Sequence, residues 1–245
     1  MVSWTFQVLD ETGSTQTVAK GLAAIGAPEG TTVVAKSQSS GTGRLGRVWS
    51  SPPGGLYMSF ILRPKNLTRP EIVSLVGTLG VVEGVLGATG LSTKIRWPND
   101  VMVGRKKLAG VIAEAQFNRQ ELAYIVVGVG LNCNTPVADA QSTGSGATSL
   151  IEELGKSFEI SDFRHSILGS FSGLYHRWQA GEDMLPLWKE HVGTIGKTVE
   201  VKMKTSENAV SFQAVGVDPE GALILFKDGE TTLLHAEDLE WLRED

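Results

Sequence analysis

The sequence predicts an α+β protein, with a mixed α/β sheet domain over residues 1–192 and a small antiparallel β-barrel over 193–245. Three observations carry this. Short β-branched and apolar runs alternate with helical patterns through the first three quarters of the 245 residues. From Gly196 the texture changes to short strands alone, a composition that fits a barrel of the SH3-like kind. The turns among them, Asp218-Pro-Glu-Gly221 and Asp228-Gly229, are hairpin chemistry, which puts the junction near His191–Gly196.

The elements follow in order. Phe6–Leu9 reads as a short strand, and Ser14 or Thr15 can cap a helix that Gly26 and Pro28 end near Ile25. Thr31–Ala35 and Leu56–Leu62 are β-branched or apolar runs bounded by turn residues, hence strands. Apolar residues at helical spacing over Glu71–Leu86, with Pro70 suited to a first helical position, predict a helix. Lys94–Trp97, Val101–Val103, Leu108–Ala115 and Leu122–Val129 follow as strands joined by tight turns. The polar run 133–147 has no periodicity and reads as a binding loop or lid. Helical spacing returns at Thr148–Leu154 and Ser161–Gln179. The barrel strands are Thr198–Met203, Val210–Val217, Leu223–Phe226 and Thr231–His235.

Bulk composition narrows the function classes. A hydrophobic share of 41% is enough for a sizeable core. Twenty-seven acidic against 22 basic residues give a net charge of −5, so no global positive field favours nucleic acid. Cys133 is the only cysteine, which excludes an intrachain disulfide and points to a reducing, cytoplasmic setting. No secretory leader and no uninterrupted apolar run of the roughly 18–20 residues a membrane helix needs is expected. The four histidines show no metal-ligand spacing.

Chemistry concentrates in Gly41-Thr42-Gly43-Arg44-Leu45-Gly46-Arg47-Val48-Trp49. Glycines let backbone N–H groups approach a ligand, and guanidinium forks suit phosphate and carboxylate oxygens. Because the run is single and internal, it reads as an anion-binding loop rather than a disordered tail. Trp49 adds a flat surface that can anchor against the body or a base. Four further clusters bracket the sheet. Gly13-Ser14-Thr15-Gln16 sets hydroxyls and an amide at a helix start, and Gln38 lies three residues before the loop. Arg96-Trp97-Pro98-Asn99-Asp100 precedes Arg105-Lys106-Lys107-Leu108-Ala109-Gly110. Val126-Val127-Gly128-Val129-Gly130-Leu131-Asn132 places two glycines on one strand face, which clears a slot for a ring.

Taken in this order, these motifs resemble the biotin–protein ligases across the whole chain. The shared pattern is a Ser-Thr start, a Gly-Arg loop ending in Trp, Trp-Pro-Asn-Asp, Lys-Leu-Ala-Gly, Gly-x-Gly-x-Asn and a small C-terminal β domain. Two positions depart from it: Thr42 stands where that family usually has Arg, and Arg96 where it has Lys. Lipoate–protein ligases resemble it in fold and reaction but carry an Arg-Arg-x-Gly-Gly-Gly loop and a His-Asp pair that do not occur here. A non-catalytic biotin-responsive regulator would need a DNA-binding element, and the dozen residues before Ser14 are too few for one.

The resemblance implies the class II synthetase/biotin ligase fold, and biotin activation to biotinyl-5′-AMP with ATP and Mg²⁺. Biotin then passes to a lysine of a biotin carboxyl carrier protein or domain, with no nucleic acid or membrane partner. By the same resemblance Lys107 and Arg44 are catalytic at the carboxylate and α-phosphate, and Asp100 either holds Mg²⁺ or orients the basic residues. Ser14, Thr15, Gln16 and Gln38 would meet the ureido ring. Gly41, Thr42, Gly43, Arg44 and Lys107 would complete the biotin site, with Gly110, Gly128 and Gly130 lining its slot. Arg47 would meet the β/γ phosphates, and Arg44, Lys107, Asn99, Trp49 and Asn132 the rest of ATP. A homodimer through an edge of the main sheet is compatible with the same family.

Overall fold

The computed structural model describes residues 2–65, 72–136 and 146–245. Seven strands form the main sheet: β1 (Thr5–Thr12), β2 (Thr31–Gln38), β3 (Leu56–Leu62), β4 (Lys94–Arg96), β5 (Asp100–Val103), β6 (Lys106–Asn118) and β7 (Glu121–Leu131). Their order is β1-β2-β3-β7-β6-β5-β4, with only β1 and β2 parallel among these pairs. Strand alternation sorts the side chains into two layers. Val33, Ile61 and Val126 meet Ala19 and Ala23 of α1 (Thr15–Ala24) on one face. On the other, Met58, Phe60, Val127 and Val129 join the larger core under α2 (Ile72–Thr89).

Helix α2 is apolar on every side because it is sandwiched, with the sheet beneath it and α4 (Ile160–Gln179) and α5 (Leu185–His191) packed on it. Its mean hydropathy of 1.7 over 18 residues would allow a membrane span by composition, unlike the sequence expectation, but 67% of it is buried inside the protein. Pro70 and Glu71, expected at its start, lie outside the described residues. Glycines let α2 approach its neighbours closely. A Cβ at Gly84 would sit 2.7 Å from the Ile167 Cα of α4. Gly84→Val is therefore expected to destabilise the fold by about 1–3 kcal/mol through overpacking. Chemical denaturation measures it, and an unchanged midpoint would refute so close a contact.

A five-stranded antiparallel sheet closes the chain, in the order β11-β10-β9-β8-β12. Its strands are β8 (Thr198–Met203), β9 (Val210–Val217), β10 (Leu223–Lys227), β11 (Glu230–Leu234) and β12 (Leu239–Glu244). Two elements were not foreseen, α5 and β12. Strand β12 pairs with β8, some 40 residues earlier in the chain, and no nearby turn signals it. The short helix α3 (Leu150–Leu154) begins two residues later than its pattern.

Trp97 ties the two sheets together. Its backbone N–H donates to Thr194 Oγ1 and its indole N–H to the Gly221 carbonyl, both at 2.9 Å. It is 2% exposed, and the Trp97-Pro98 corner, a cis peptide, also lines the cavity between the helix start and the C-terminal strands.

Candidate active site

One cavity of about 380 Å³ gathers the predicted clusters. That volume suits a small-molecule site. Its wall is formed by the start of α1, residues 42–50, the β4–β5 turn, and residues of β6 and β7, among them Gly110, Ile112, Gly128 and Gly130 on the face away from α2.

The Gly/Arg loop is a closed structure. Trp49 N donates to the Gly41 carbonyl at 2.8 Å and Gly43 N to the Arg47 carbonyl at 2.7 Å, around a 3-10 turn over Arg44–Gly46. Gly41 is required here, because a Cβ would fall 2.4 Å from the Trp49 carbonyl oxygen. Thr42 bridges to Val48 and both are solvent-facing. Arg47 is exposed at the rim, whereas Arg44 turns inward. Arg44 donates to Asn99 Oδ1 at 3.5 Å and to the Ala236 carbonyl, so the loop is clasped to the turn between the last two strands of the C-terminal sheet. Burial lowers the pKa of its guanidinium and the Asp100 carboxylate opposes that, but an arginine remains charged.

Asp100 organises the floor. Its Oδ1 pairs with Lys107 Nζ and its Oδ2 with Arg96 Nη2, each at 2.6 Å. Burial alone would raise its pKa, but the Lys107 ammonium and Arg96 guanidinium overcome this and hold it below the ordinary 3.8. With both oxygens engaged by cations, the carboxylate fits the role of orienting basic residues and does not fit Mg²⁺. Among the described residues no group of three or more His, Cys, Asp or Glu could hold a metal. Asn99 is locked as well, with Nδ2 donating to the Val111 carbonyl at 2.6 Å. The backbone of Lys107 is clamped by the end of the polar run: Lys107 N donates to Gly146 O and Thr148 N to Lys107 O. Most of that run, 137–145, lies outside the described residues.

The hydroxyl and amide cluster lies at the other end of the cavity. Thr15 Oγ1 meets Gln38 Oε1 at 3.1 Å and Ser59 Oγ at 2.9 Å. Gln38 Nε2 donates to Ser51 Oγ at 2.8 Å. Ser14 is buried as the N-cap of α1, and its side chain makes no cap bond. Asn132 is buried and donates to the Thr148 carbonyl at 2.9 Å, holding the end of β7 against the polar run.

The glycines clear space as expected, but for this chain's own groups. A Cβ at Gly130 would lie 2.5 Å from Trp49 Cε2, and one at Gly110 3.2 Å from Trp49 Cζ3. The indole therefore occupies the slot face, with Lys107 Nζ 4.9 Å from its ring centroid. A Cβ at Gly128 would lie 2.6 Å from Gln16 Oε1.

Several lining residues escaped the sequence reading. Ser59 had a visible signal, a hydroxyl in an otherwise apolar strand. Leu239–Arg243 of β12 also line the cavity, and neither a turn nor a period-two pattern marks them in the sequence. Cys133 is buried and its thiol is pushed up to about 12 by burial, so it is inert.

A mixed sheet with an arginine loop over a cation-rich cavity makes a site for an anionic small molecule. The chain belongs to the biotin/lipoate A/B protein ligase family, whose model matches residues 8–132. It is 33% identical over 237 residues to the bifunctional ligase/repressor BirA of Bacillus subtilis (strain 168), covering 94% of this chain and 72% of that protein. It is 30% identical over 206 residues to the biotin–[acetyl-CoA-carboxylase] ligase of Paracoccus denitrificans, covering 79% and 82%. Among solved structures, the biotin protein ligase from Aquifex aeolicus in complex with biotin and ATP superposes with a TM-score of 0.82 at 27% identity, over 98% of this chain and 99% of that one.

Proposed function

We propose that this chain activates biotin with ATP to biotinyl-5′-AMP, releasing pyrophosphate. It then transfers biotin to a lysine of a biotin carboxyl carrier protein or domain, releasing AMP. The observation that carries the reading is the group Arg44, Arg96 and Lys107 gathered near Asp100, on a cavity wall in a protein of net charge −5. With Arg47 and Arg243 the wall carries five cations against the two carboxylates of Asp100 and Glu240, which leaves the site positive where two anions must meet.

In the first step a biotin carboxylate oxygen attacks the α-phosphorus, and the bond from that phosphorus to the β-phosphate bridging oxygen breaks. Lys107 and Arg44 relieve the repulsion and stabilise the added charge. Arg47 at the rim receives the β/γ phosphates, while Trp49, Asn99 and Asn132 serve the nucleoside side. Ser14, Thr15, Gln16 and Gln38 hold the ureido ring. In the second step the acceptor amine attacks the anhydride carbonyl and AMP leaves. No enzyme nucleophile is needed, and positioning does the rest. The chain divides functionally at 192/193, with the C-terminal sheet clasping the loop through Arg44, and it works in the cytoplasm.

Biotin-dependent ATP–pyrophosphate exchange, run beside a lipoate control, followed by mass spectrometry of a carrier domain, tests this. Exchange driven only by lipoate overturns it. Arg44→Gly, which removes both a cation and the Ala236 clasp, is expected to raise release of free biotinyl-AMP about ten-fold or more. Release equal to the parent's counts against a role of Arg44 in retaining the adenylate.

A further inference from the structure

The strongest unassigned feature is the polar chain behind Gln16. Its Nε2 donates to Glu114 Oε2 at 2.7 Å and to the Val126 carbonyl at 3.1 Å. Glu114 and Val126 are register partners on β6 and β7, so the sheet presents two acceptors side by side. Lys20, one turn after Gln16 on α1, holds the other carboxylate oxygen at 2.6 Å. Two acceptors leave the carboxamide only one orientation. Both Nε2 hydrogens are committed, and Oε1 is buried at the cavity over Gly128 with no partner among the described residues. A buried acceptor left in this state is unfavourable until a donor arrives.

We propose that Glu114, steadied by Lys20, is a positioning residue that fixes Gln16 Oε1 as an acceptor for a ligand N–H. On the proposed function that donor is a ureido N–H of biotin. Glu114 does not itself line the cavity and its side chain is 46% exposed, so its effect passes through Gln16. A carboxylate suits the task because it only accepts, so it never competes with Nε2 as a donor.

The experiment measures adenylation kinetics of the full chain with biotin and ATP for the parent, Glu114→Ala, Gln16→Leu and the double variant. Glu114→Ala is expected to raise KM for biotin about ten-fold while kcat and KM for ATP stay within about two-fold. In the Gln16→Leu background the same change is expected to have no further effect on KM. An unchanged biotin KM in Glu114→Ala, or an equal effect in both backgrounds, overturns the inference. A parent inactive with biotin would instead overturn the proposed function, so the two failures are distinct.

Discussion

Lys107→Ala is expected to lower biotin-dependent ATP–pyrophosphate exchange by at least about 100-fold while the protein still unfolds cooperatively near the parent's midpoint. The size follows from what one preorganised charge contributes when it faces charge developing at phosphorus in a site screened from water. Its side chain is 17% exposed, and its ammonium lies 2.6 Å from Asp100 and stands over the Trp49 indole, so it is fixed before substrate arrives. Folding survives for two reasons. The β5 pairing and the Gly146 and Thr148 bonds that hold residue 107 are made by its backbone. Asp100 also keeps its Arg96 partner. Lys107→Met preserves most of the stem and removes the charge, and is expected to match the alanine variant. Exchange near the parent's rate in either variant would remove Lys107 from the reaction.

The sequence exposed most of this site because its parts are local. The Gly41–Trp49 loop is nine contiguous residues, and Lys107 is singled out by the three residues after it. What escaped depends on tertiary closure. Ala236 and β12 reach the site only when β12 pairs with β8, and no local pattern encodes that pairing. The use of the glycines was also hidden. Period-two spacing showed that Gly128 and Gly130 clear one face, but not that Gln16 and Trp49 would fill it. Asp100 was left with two roles because a carboxylate beside basic residues and one that binds metal look alike in a string of letters. Two 2.6 Å ion pairs separate them.

Asp100→Asn tests that separation through stability as well as activity. An asparagine offers one acceptor and one N–H₂ group, so it satisfies Lys107 or Arg96 and sets a donor against the other. Side chains of Arg96, Asp100 and Lys107 are 10%, 17% and 17% exposed, so the abandoned cation stays largely out of water. Removing one partner from such a group costs about 3–5 kcal/mol, and the amide recovers part of it, giving an expected loss of about 2–4 kcal/mol at neutral pH. The pH dependence gives the sharper signature. A carboxyl whose folded pKa is depressed contributes stability above its unfolded value, and loses it as pH falls through the folded one. Asp100 lies below 3.8 in the fold, so the parent keeps its advantage through pH 5 and surrenders it only in stronger acid, at up to about 1.4 kcal/mol per pH unit. The gap between parent and variant should accordingly be flat from pH 7 to 5 and close below 3.8. Denaturation at a series of pH values reads it directly. A gap that persists unchanged into strong acid would mean that the carboxylate's charge is not what holds Lys107 and Arg96 in place.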